Sequence, residues 1–397
     1  MEINTLKDIQ NLKSKKVLLR VDFNVPLKDN GDVQDDTRII EALPTIKYLQ
    51  EHGAKIIIIS HLGRPDGQVK EELRLTKVAE YLGKLLNKEV KKSNEVLGAE
   101  TTKLVSEMQD SEIVMLENIR FRPEEEKCEE NFTKELASLG EIFVNDAFGT
   151  AHRKHASTAG LADYLPAYAG LLMEKEITHL SPLLSDNIKR PLTMVFGGAK
   201  IDTKIGIIKN FLKKADHFLM GGALANTFLY AKGYKVGTSL YEEDKADIAK
   251  EIMAECANNN EKFLLPTDVV VAKEISETAE TQNVSVQNVA DDLKILDIGE
   301  ATSKKYCEVI KNSGTVIWNG PMGLCEFTPF QNGSSQLAHC LAESNCTSII
   351  GGGDTADSLK RLGIPFTKFT HVSTGGGACI EFLSGQKLPG IEVLRKK

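Results

Sequence analysis

Short apolar runs recur along the chain and alternate with longer stretches in which apolar residues return every three or four positions. In the first half the runs are VLLRVDFNV (Val17–Val25), KIIIIS (Lys55–Ser60), EIVMLEN (Glu112–Asn118) and EIFVND (Glu141–Asp146). Runs that are apolar throughout, without alternation, read as strands buried on both faces. Between them Thr37–Glu51 and Leu75–Leu86 carry helical spacing. The repeating unit is therefore βαβ and the sheet mainly parallel. The second half repeats the rhythm with PLTMVFGG (Pro191–Gly198), HFLMGG (His217–Gly222), LLPTDVVVA (Leu264–Ala272), TVIWNG (Thr315–Gly320) and TSIIGGG (Thr347–Gly353). The pattern predicts an α/β fold of two doubly wound, Rossmann-like parallel-sheet domains.

Length agrees, since 397 residues exceed what one core usually supports. Gly170–Leu184 reads as a helix outside the preceding βα rhythm, and the polar stretch Ser185–Lys189 follows it. The expected division is a first domain over 1–169, a connecting helix and hinge over 170–185, and a second domain from 186.

Composition removes several classes of function. An apolar fraction of 41% and a charged fraction of 26% belong to an ordinary globular chain. A net charge of -7 and an aromatic content of 6% disfavour a nucleic-acid surface, so any anion site has to be a concentrated pocket. Charges run through Met1–Lys16 and no apolar stretch approaches the ~18 residues of a membrane span, which points to the cytoplasm and to no membrane partner. The seven cysteines are scattered, without a CxxC pair, and read as reduced thiols, neither a zinc site nor a disulfide framework.

In open α/β sheets ligands bind beyond the carboxyl ends of the strands, so the residues following each run carry the chemistry. In the first half these are Asp22 and Asn24, then His61 and Arg64, then Arg120 and Arg122, then His152, Arg153 and His155, while Arg38 opens the first helix. A single arginine there is as readily a surface charge; four strand ends delivering cations to one edge read as a pocket for a small, multiply anionic substrate.

In the second half the strand ends are rich in glycine instead: GGAKIDTK (Gly197–Lys204), GGALANT (Gly221–Thr227), NGPMG (Asn319–Gly323), GGGDT (Gly351–Thr355) and STGGG (Ser373–Gly377). A glycine turn entering a helix aims unpaired N–H groups and the positive dipole end at an anion, and five in one domain point to a phosphate cradle. Lys200 and Lys204, four apart, are expected on one helix face. Asp354 reads either as a helix N-cap or as a magnesium anchor, and Glu326 either as an acceptor for a ribose hydroxyl or as a solvated charge. GGGDTA also fits the dinucleotide pattern G-x-G-x-x-A, which keeps an NAD-dependent dehydrogenase as the alternative, although the acidic ribose residue about 20 positions on is absent. A Walker-type GxxxxGK[ST] is absent too.

RVDFNVP at Arg20, SHLGRP at Ser60, LENIRFRPEEE at Leu116, NDAFGTAHRKHAST at Asn145, GGAKIDTKI at Gly197, LPTD at Leu265, WNGPMG at Trp318, GGGDTA at Gly351 and HVSTGGGA at His371 resemble, in this order, the phosphoglycerate kinase family. The resemblance implies two α/β domains, with a C-terminal tail of about 385–397 returning to the first, so that the second spans 186–384. It implies reversible phosphoryl transfer between 1,3-bisphosphoglycerate and ADP, giving 3-phosphoglycerate and ATP, with Mg2+, by a monomer of glycolysis. Asp22, Asn24, Arg38, His61, Arg64, Arg120 and Arg153 would bind 3-phosphoglycerate. Lys200, Lys204, Gly221, Gly222, Asn319, Glu326, Gly351, Gly352, Gly353, Asp354 and Thr355 would hold the nucleotide, with Asp354 at the metal. Arg38, Lys200 and Lys204 would be catalytic. A substrate carboxylate is already ionised at neutral pH, so in-line transfer needs no general base, and hinge closure would bring the two sites together. Thr203 stands where the family usually has Asp, Cys325 where it usually has Phe, and GGALANTF replaces the commoner GGGMAFTF; all three border the nucleotide site. A catalytically inactive homologue acting as a binding protein is a third reading, weakened because every expected catalytic position is filled.

Overall fold

The apolar runs of the first half become the middle of a six-stranded parallel sheet in a computed structural model that describes residues 1–185, 187–256 and 262–396. The chain divides into two units, Met1–Thr178 with Lys387–Lys397, and His179–Gln386. In the first unit the strands are β1 (Lys16–Arg20), β2 (Lys55–Ile59), β3 (Lys91–Lys92), β4 (Ile113–Met115), β5 (Ile142–Asn145) and β6 (Ala167–Ala169), in the order β3-β4-β2-β1-β5-β6. Val17 pairs with Ile56 on one side and Ile142 on the other, and all three are buried. After β1 the chain winds outward through β2, then returns to place β5 on the other flank of β1. The carboxyl ends of β1 and β5 thus border the switch point where ligands bind in such sheets.

Helix Thr37–Glu51 buries Ile39, Ala42, Ile46 and Leu49, one face at helical spacing, and Thr76–Leu86 does the same with Val78, Ala79 and Leu82. Asp146 Oδ1 accepts from the N–H groups of Leu172 and Met173 and so caps helix Leu171–Leu180 from the end of β5. The last residues return to this unit: Asn4 N–H donates to Leu394 O, Gly390 N–H donates to Ala151 O, and Leu388, Ile391 and Leu394 are buried.

In the second unit β7 (Leu192–Phe196), β8 (His217–Met220), β9 (Phe263–Leu264), β13 (Thr315–Asn319), β14 (Thr347–Gly351) and β15 (His371–Val372) form a parallel sheet in the order β15-β14-β13-β7-β8-β9. Here the switch point lies between β7 and β13, so the Gly197 and Asn319 turns meet. A separate antiparallel sheet, β11-β10-β12, is built from β10 (Asp268–Ala272), β11 (Gln282–Ser285) and β12 (Lys294–Ile298).

Three expectations change. The run Leu264–Ala272 is not one strand: it breaks at Leu265–Thr267, where Pro266 offers no ladder N–H, and its second part joins the antiparallel sheet. Gly170–Leu184 does follow the βα rhythm, because β6 precedes it; that strand is too short and too alanine-rich to register as an apolar run. The thiols are not all reduced, since Cys307 and Cys340 form a disulfide between helices Glu300–Lys311 and Asn332–Ala342. Cysteines 33 residues apart on two facing helices leave no spacing motif to read. Reduction, or Cys340→Ser, should lower the stability of this unit by about 3 to 4 kcal/mol through the loop it opens. Urea unfolding with and without reductant checks this; coincident midpoints would refute it.

Candidate active site

Beyond β1 the chain stays buried at Val21, Phe23 and Val25 while Asp22 and Asn24 turn toward the switch point. Arg38, in the first turn of its helix, donates Nη1 to Asp22 Oδ2 at 2.8 Å and to Asn24 O at 3.2 Å. Asn24 Oδ1 accepts the Gly63 N–H at 2.8 Å, which fixes the SHLGRP turn. Arg64, Arg120 and Arg153 line one pocket with Pro65, Asp66 and Glu126. Arg120 is buried; its Nη1 donates to Gly63 O, while its Nη2 has no hydrogen-bond partner. Burial, then Arg153, hold the Arg120 guanidinium down at about 10, still a cation at neutral pH.

Two groups complete this pocket that the sequence reading left unassigned. Arg20, the last residue of β1, is fully buried; it donates Nε to Ser157 Oγ at 2.8 Å, bonds Val21 O, and places Nη2 3.2 Å from His61 Nδ1. A guanidinium only donates, so Nδ1 accepts and the His61 proton sits on Nε2. Burial, then Arg20, Arg120, Arg153 and Arg38, hold His61 well below its ordinary range, so it is neutral. Glu125, also fully buried, accepts from Ser157 N and Oγ. The signal for Arg20 was present in the sequence: a charge inside the apolar run VLLRVDF. Arg122 instead turns away, paired with Glu124 at 2.9 Å and lying over the Phe132 ring.

In the second unit a cavity of about 490 Å³ is lined by Gly198, Gly222, Pro321, Gly323, Glu326 and Asp354 among others. Its glycines are required by close approach: a Cβ on Gly197 would lie 2.0 Å from Pro321 O, and on Gly222, at φ +60°, 2.5 Å from Gly198 N. Thr355 Oγ1 accepts from Gly320 N and donates to Gly351 O, stitching two turns together. Asn319 is buried with Nδ2 close to Gly351 and Gly352, while Gly353 opens onto space. Gly221 packs on Met322.

Two helix expectations are corrected. Lys200 and Lys204 do not share a helix face: the helix is Ile205–Phe211, Lys204 precedes it, and Lys200 sits in the turn before, its O accepting from Thr203 Oγ1. That turn is latched, since Ile201 N–H donates to Glu242 Oε2 and Lys245 pairs with Asp202. Lys204 is buried beside Gly198, and burial pulls its ammonium down against the pull of Asp354 and Glu242, whereas Lys200 is exposed. Asp354 is not the N-cap of Gly353–Arg361; Gly352, at φ +90°, takes that position and leaves the Asp354 carboxylate in the first turn at the cavity. Among the described residues no group of three or more His, Cys, Asp or Glu is arranged to hold a metal, and no helix is long and apolar enough to cross a membrane. Cys325 is buried, its thiol pushed up by burial.

The phosphoglycerate kinase family model matches residues 6–386. The chain belongs to the phosphoglycerate kinase family. It is 51% identical to the phosphoglycerate kinase of Dictyoglomus turgidum over the full length of both chains. It superposes on the phosphoglycerate kinase of Coxiella burnetii with TM-score 0.88 at 40% identity, and on that of Pyrococcus horikoshii with 0.87 at 33%, each covering 99% of this chain and 98% of the other. Phosphoglycerate kinases transfer a phosphoryl group to the carboxyl of 3-phosphoglycerate, an activity of glycolysis with ATP and ADP as substrates, and the dehydrogenase alternative falls away.

The partly buried His155 makes a pH prediction for this kinase. His155 is pushed down to about 4, chiefly by burial and then by Arg120 and Arg153. A histidine with a depressed folded-state pKa leaves the unfolded chain binding more protons, so stability falls as pH drops from about 6.5 toward 4. Asp146 and Asp297, raised by burial to about 6 and about 7, act with the opposite sign over an overlapping window. His155→Gln should therefore flatten the acid limb, by on the order of 2 kcal/mol between pH 7 and 4.5. Urea midpoints at the two pH values check it; an unchanged slope would remove His155 from the account.

Proposed function

We propose that the arginine pocket of the first unit binds 3-phosphoglycerate and that the glycine turns of the second bind the magnesium nucleotide. One observation carries the first half: Arg20, Arg120 and Arg153 crowd like charge at a switch point, and the buried Arg120 Nη2 lacks a partner. An empty pocket of this kind is relieved by a small polyanion. Arg38, Arg64, Arg120 and Arg153 supply the cations, and Asp22, Asn24 and the neutral His61 supply hydrogen bonds to the substrate.

The cavity between the glycine turns supports the nucleotide reading. Gly351–Thr355 bring backbone N–H groups to a helix N-terminus, Gly221 and Gly222, whose own N–H groups bond Phe196 O and Met322 O, let a ligand approach the backbone closely, Asn319 backs them, and the apolar wall at Leu324 with the exposed Glu326 suits base and ribose. Asp354 alone is a poor metal cage, but one carboxylate plus substrate phosphates is the usual arrangement for Mg2+. When bound, the cation neutralises charge on the nucleotide phosphates. Lys200 and Lys204 flank the transferring phosphoryl, Lys204 held in place by burial and Lys200 reaching from its latched turn, and Arg38 stabilises charge on the acid side. The substrate carboxylate attacks in line without a base. Because the two sets of residues belong to different units, hinge closure during turnover is part of the proposal, as are a monomeric state and a place in the cytoplasm.

Formation of ADP from ATP, 3-phosphoglycerate and Mg2+, with the acyl phosphate drawn off by a coupled reaction, tests the whole. Turnover requiring all three components supports it; turnover without Mg2+ would overturn the metal assignment. Lys200→Ala should lower kcat by about 100-fold or more while leaving the KM for 3-phosphoglycerate within about twofold. An unaffected kcat would take Lys200 out of the mechanism.

A further inference from the structure

Three glycine turns in the second unit hang on one short segment. Gly198 N–H donates to Pro321 O at 2.8 Å, and Gly222 N–H donates to Met322 O at 2.8 Å. Leu224 N–H closes the circuit onto Gly198 O at 2.9 Å. Whatever fixes Pro321 and Met322 therefore fixes the turns after β7 and β8 as well as the one after β13.

Two buried side chains do this fixing, Ser334 and Asp297, the second of which also borders the cavity. Ser334 Oγ accepts the Met322 N–H at 2.8 Å, and Ser334 has no solvent exposure. Ser334 lies in the first turn of helix Asn332–Ala342, and that turn is held from below by Asp297, at the end of β12. Asp297 is 2% exposed; its Oδ2 accepts Gly333 N–H at 2.7 Å, its Oδ1 accepts Ile298 N–H at 2.8 Å, and Asn332 N–H also bonds the carboxylate. Leu324 N–H donates to Leu296 O at 2.9 Å, one residue before, so the far end of the same loop is tied to the same strand. The packing leaves no slack, because a Cβ on either Gly323 or Gly333 would lie 2.4 Å from Asp297 Oδ1.

We infer that Asp297 and Ser334 are positioning residues for the phosphate-binding turns, acting through the Pro321–Met322 peptide, the Asp297 carboxylate being committed to backbone N–H groups. The inference rests on the nucleotide reading above. A buried carboxylate accepting three backbone donors is a stiff anchor, and removing a single acceptor leaves a buried N–H unsatisfied. The consequence falls on the placement of Gly198 and Gly222, which line the cavity while their own N–H groups hold Pro321 O and Met322 O, hence on the nucleotide and not on the acid substrate.

Ser334→Ala is the milder variant, and Asp297→Asn keeps the shape while turning one acceptor into a donor that faces N–H groups. Each should raise the KM for nucleotide, and the Kd for Mg-ADP by calorimetry, about tenfold, with the KM for 3-phosphoglycerate within about twofold. Because both act through one peptide, the double variant should fall short of the product of the two single effects. A merely structural role would instead lower kcat in proportion to the folded fraction and leave both KM values alone; that result, or fully multiplicative effects, would overturn the inference. Gly222→Ala separates the layers. If it abolishes Mg-ADP binding while Ser334→Ala and Asp297→Asn bind like the parent, the positioning inference fails and the nucleotide reading stands. If none of the three weakens Mg-ADP, both fail.

Discussion

The first unit is organised around an electrostatic cost. Arg20 and Arg120 are buried at the ends of neighbouring segments, with Arg153 near enough to depress both guanidiniums. Like charges brought this close in a poorly solvated place would disperse unless something holds them. The fully buried Glu125 supplies the opposite charge, Ser157 bridges it to Arg20, and His61 is kept from becoming a further cation by burial and then by the field of these arginines. A buried carboxylate is costly by itself and is tolerated because it is paired and accepts two donors. The polar layer beneath the arginines thus maintains a pocket with an unpartnered guanidinium nitrogen, and the proposed affinity for a polyanion and the unit's buried network are two aspects of one arrangement.

In the proposed reading, the second unit addresses an anion by a different route. A buried ammonium, Lys204, stands beside Gly198, and the cavity is walled by glycine turns that interlock through the oxygens of Pro321 and Met322. Backbone N–H groups carry partial charge and need no buried counter-ion, so no equivalent of Glu125 is required. The constraint moves from electrostatics to sterics: Gly197, Gly222 and Gly320 cannot carry a Cβ because another peptide already occupies that volume. Precision is set here by hydrogen bonds between peptides and there by a charge balance among side chains.

Much of this was legible in the sequence, for identifiable reasons. Strands buried on both faces announce themselves as apolar runs, so the central strands of both sheets, and the residues just beyond them, could be read directly. Asp22, Asn24, His61, Arg64, Arg120 and Arg153 converge because the parallel topology places consecutive strand ends on one edge. The failures share a different cause. The breaks at Pro266 and after Arg20, and the start of the helix at Ile205, depend on where ladder partners end, which no local pattern records. Arg122 occupies the same motif as Arg120 and points elsewhere, since Glu124 and Phe132 compete for it. The Cys307–Cys340 pair and the role of Glu125 are long-range facts, visible only once helices and loops are placed.

The three departures from the family pattern gain a physical account from the same geometry. The Thr203 side chain does not face the cavity; its hydroxyl returns to Lys200 O and tightens the turn that carries the exposed lysine. Asn226 is buried and forms part of the cavity wall, with Nδ2 on Leu240 O. Cys325 is buried among Ser334 and Ser358, where burial disfavours its thiolate. Thr203 is exposed, Asn226 belongs to the cavity wall and Cys325 is buried, and in the proposed reading none of the three brings a charge to the phosphates. In the proposed reading the groups that face the anion belong largely to the backbone, and the interlocked peptides, rather than any one of these side chains, set the turns that carry them.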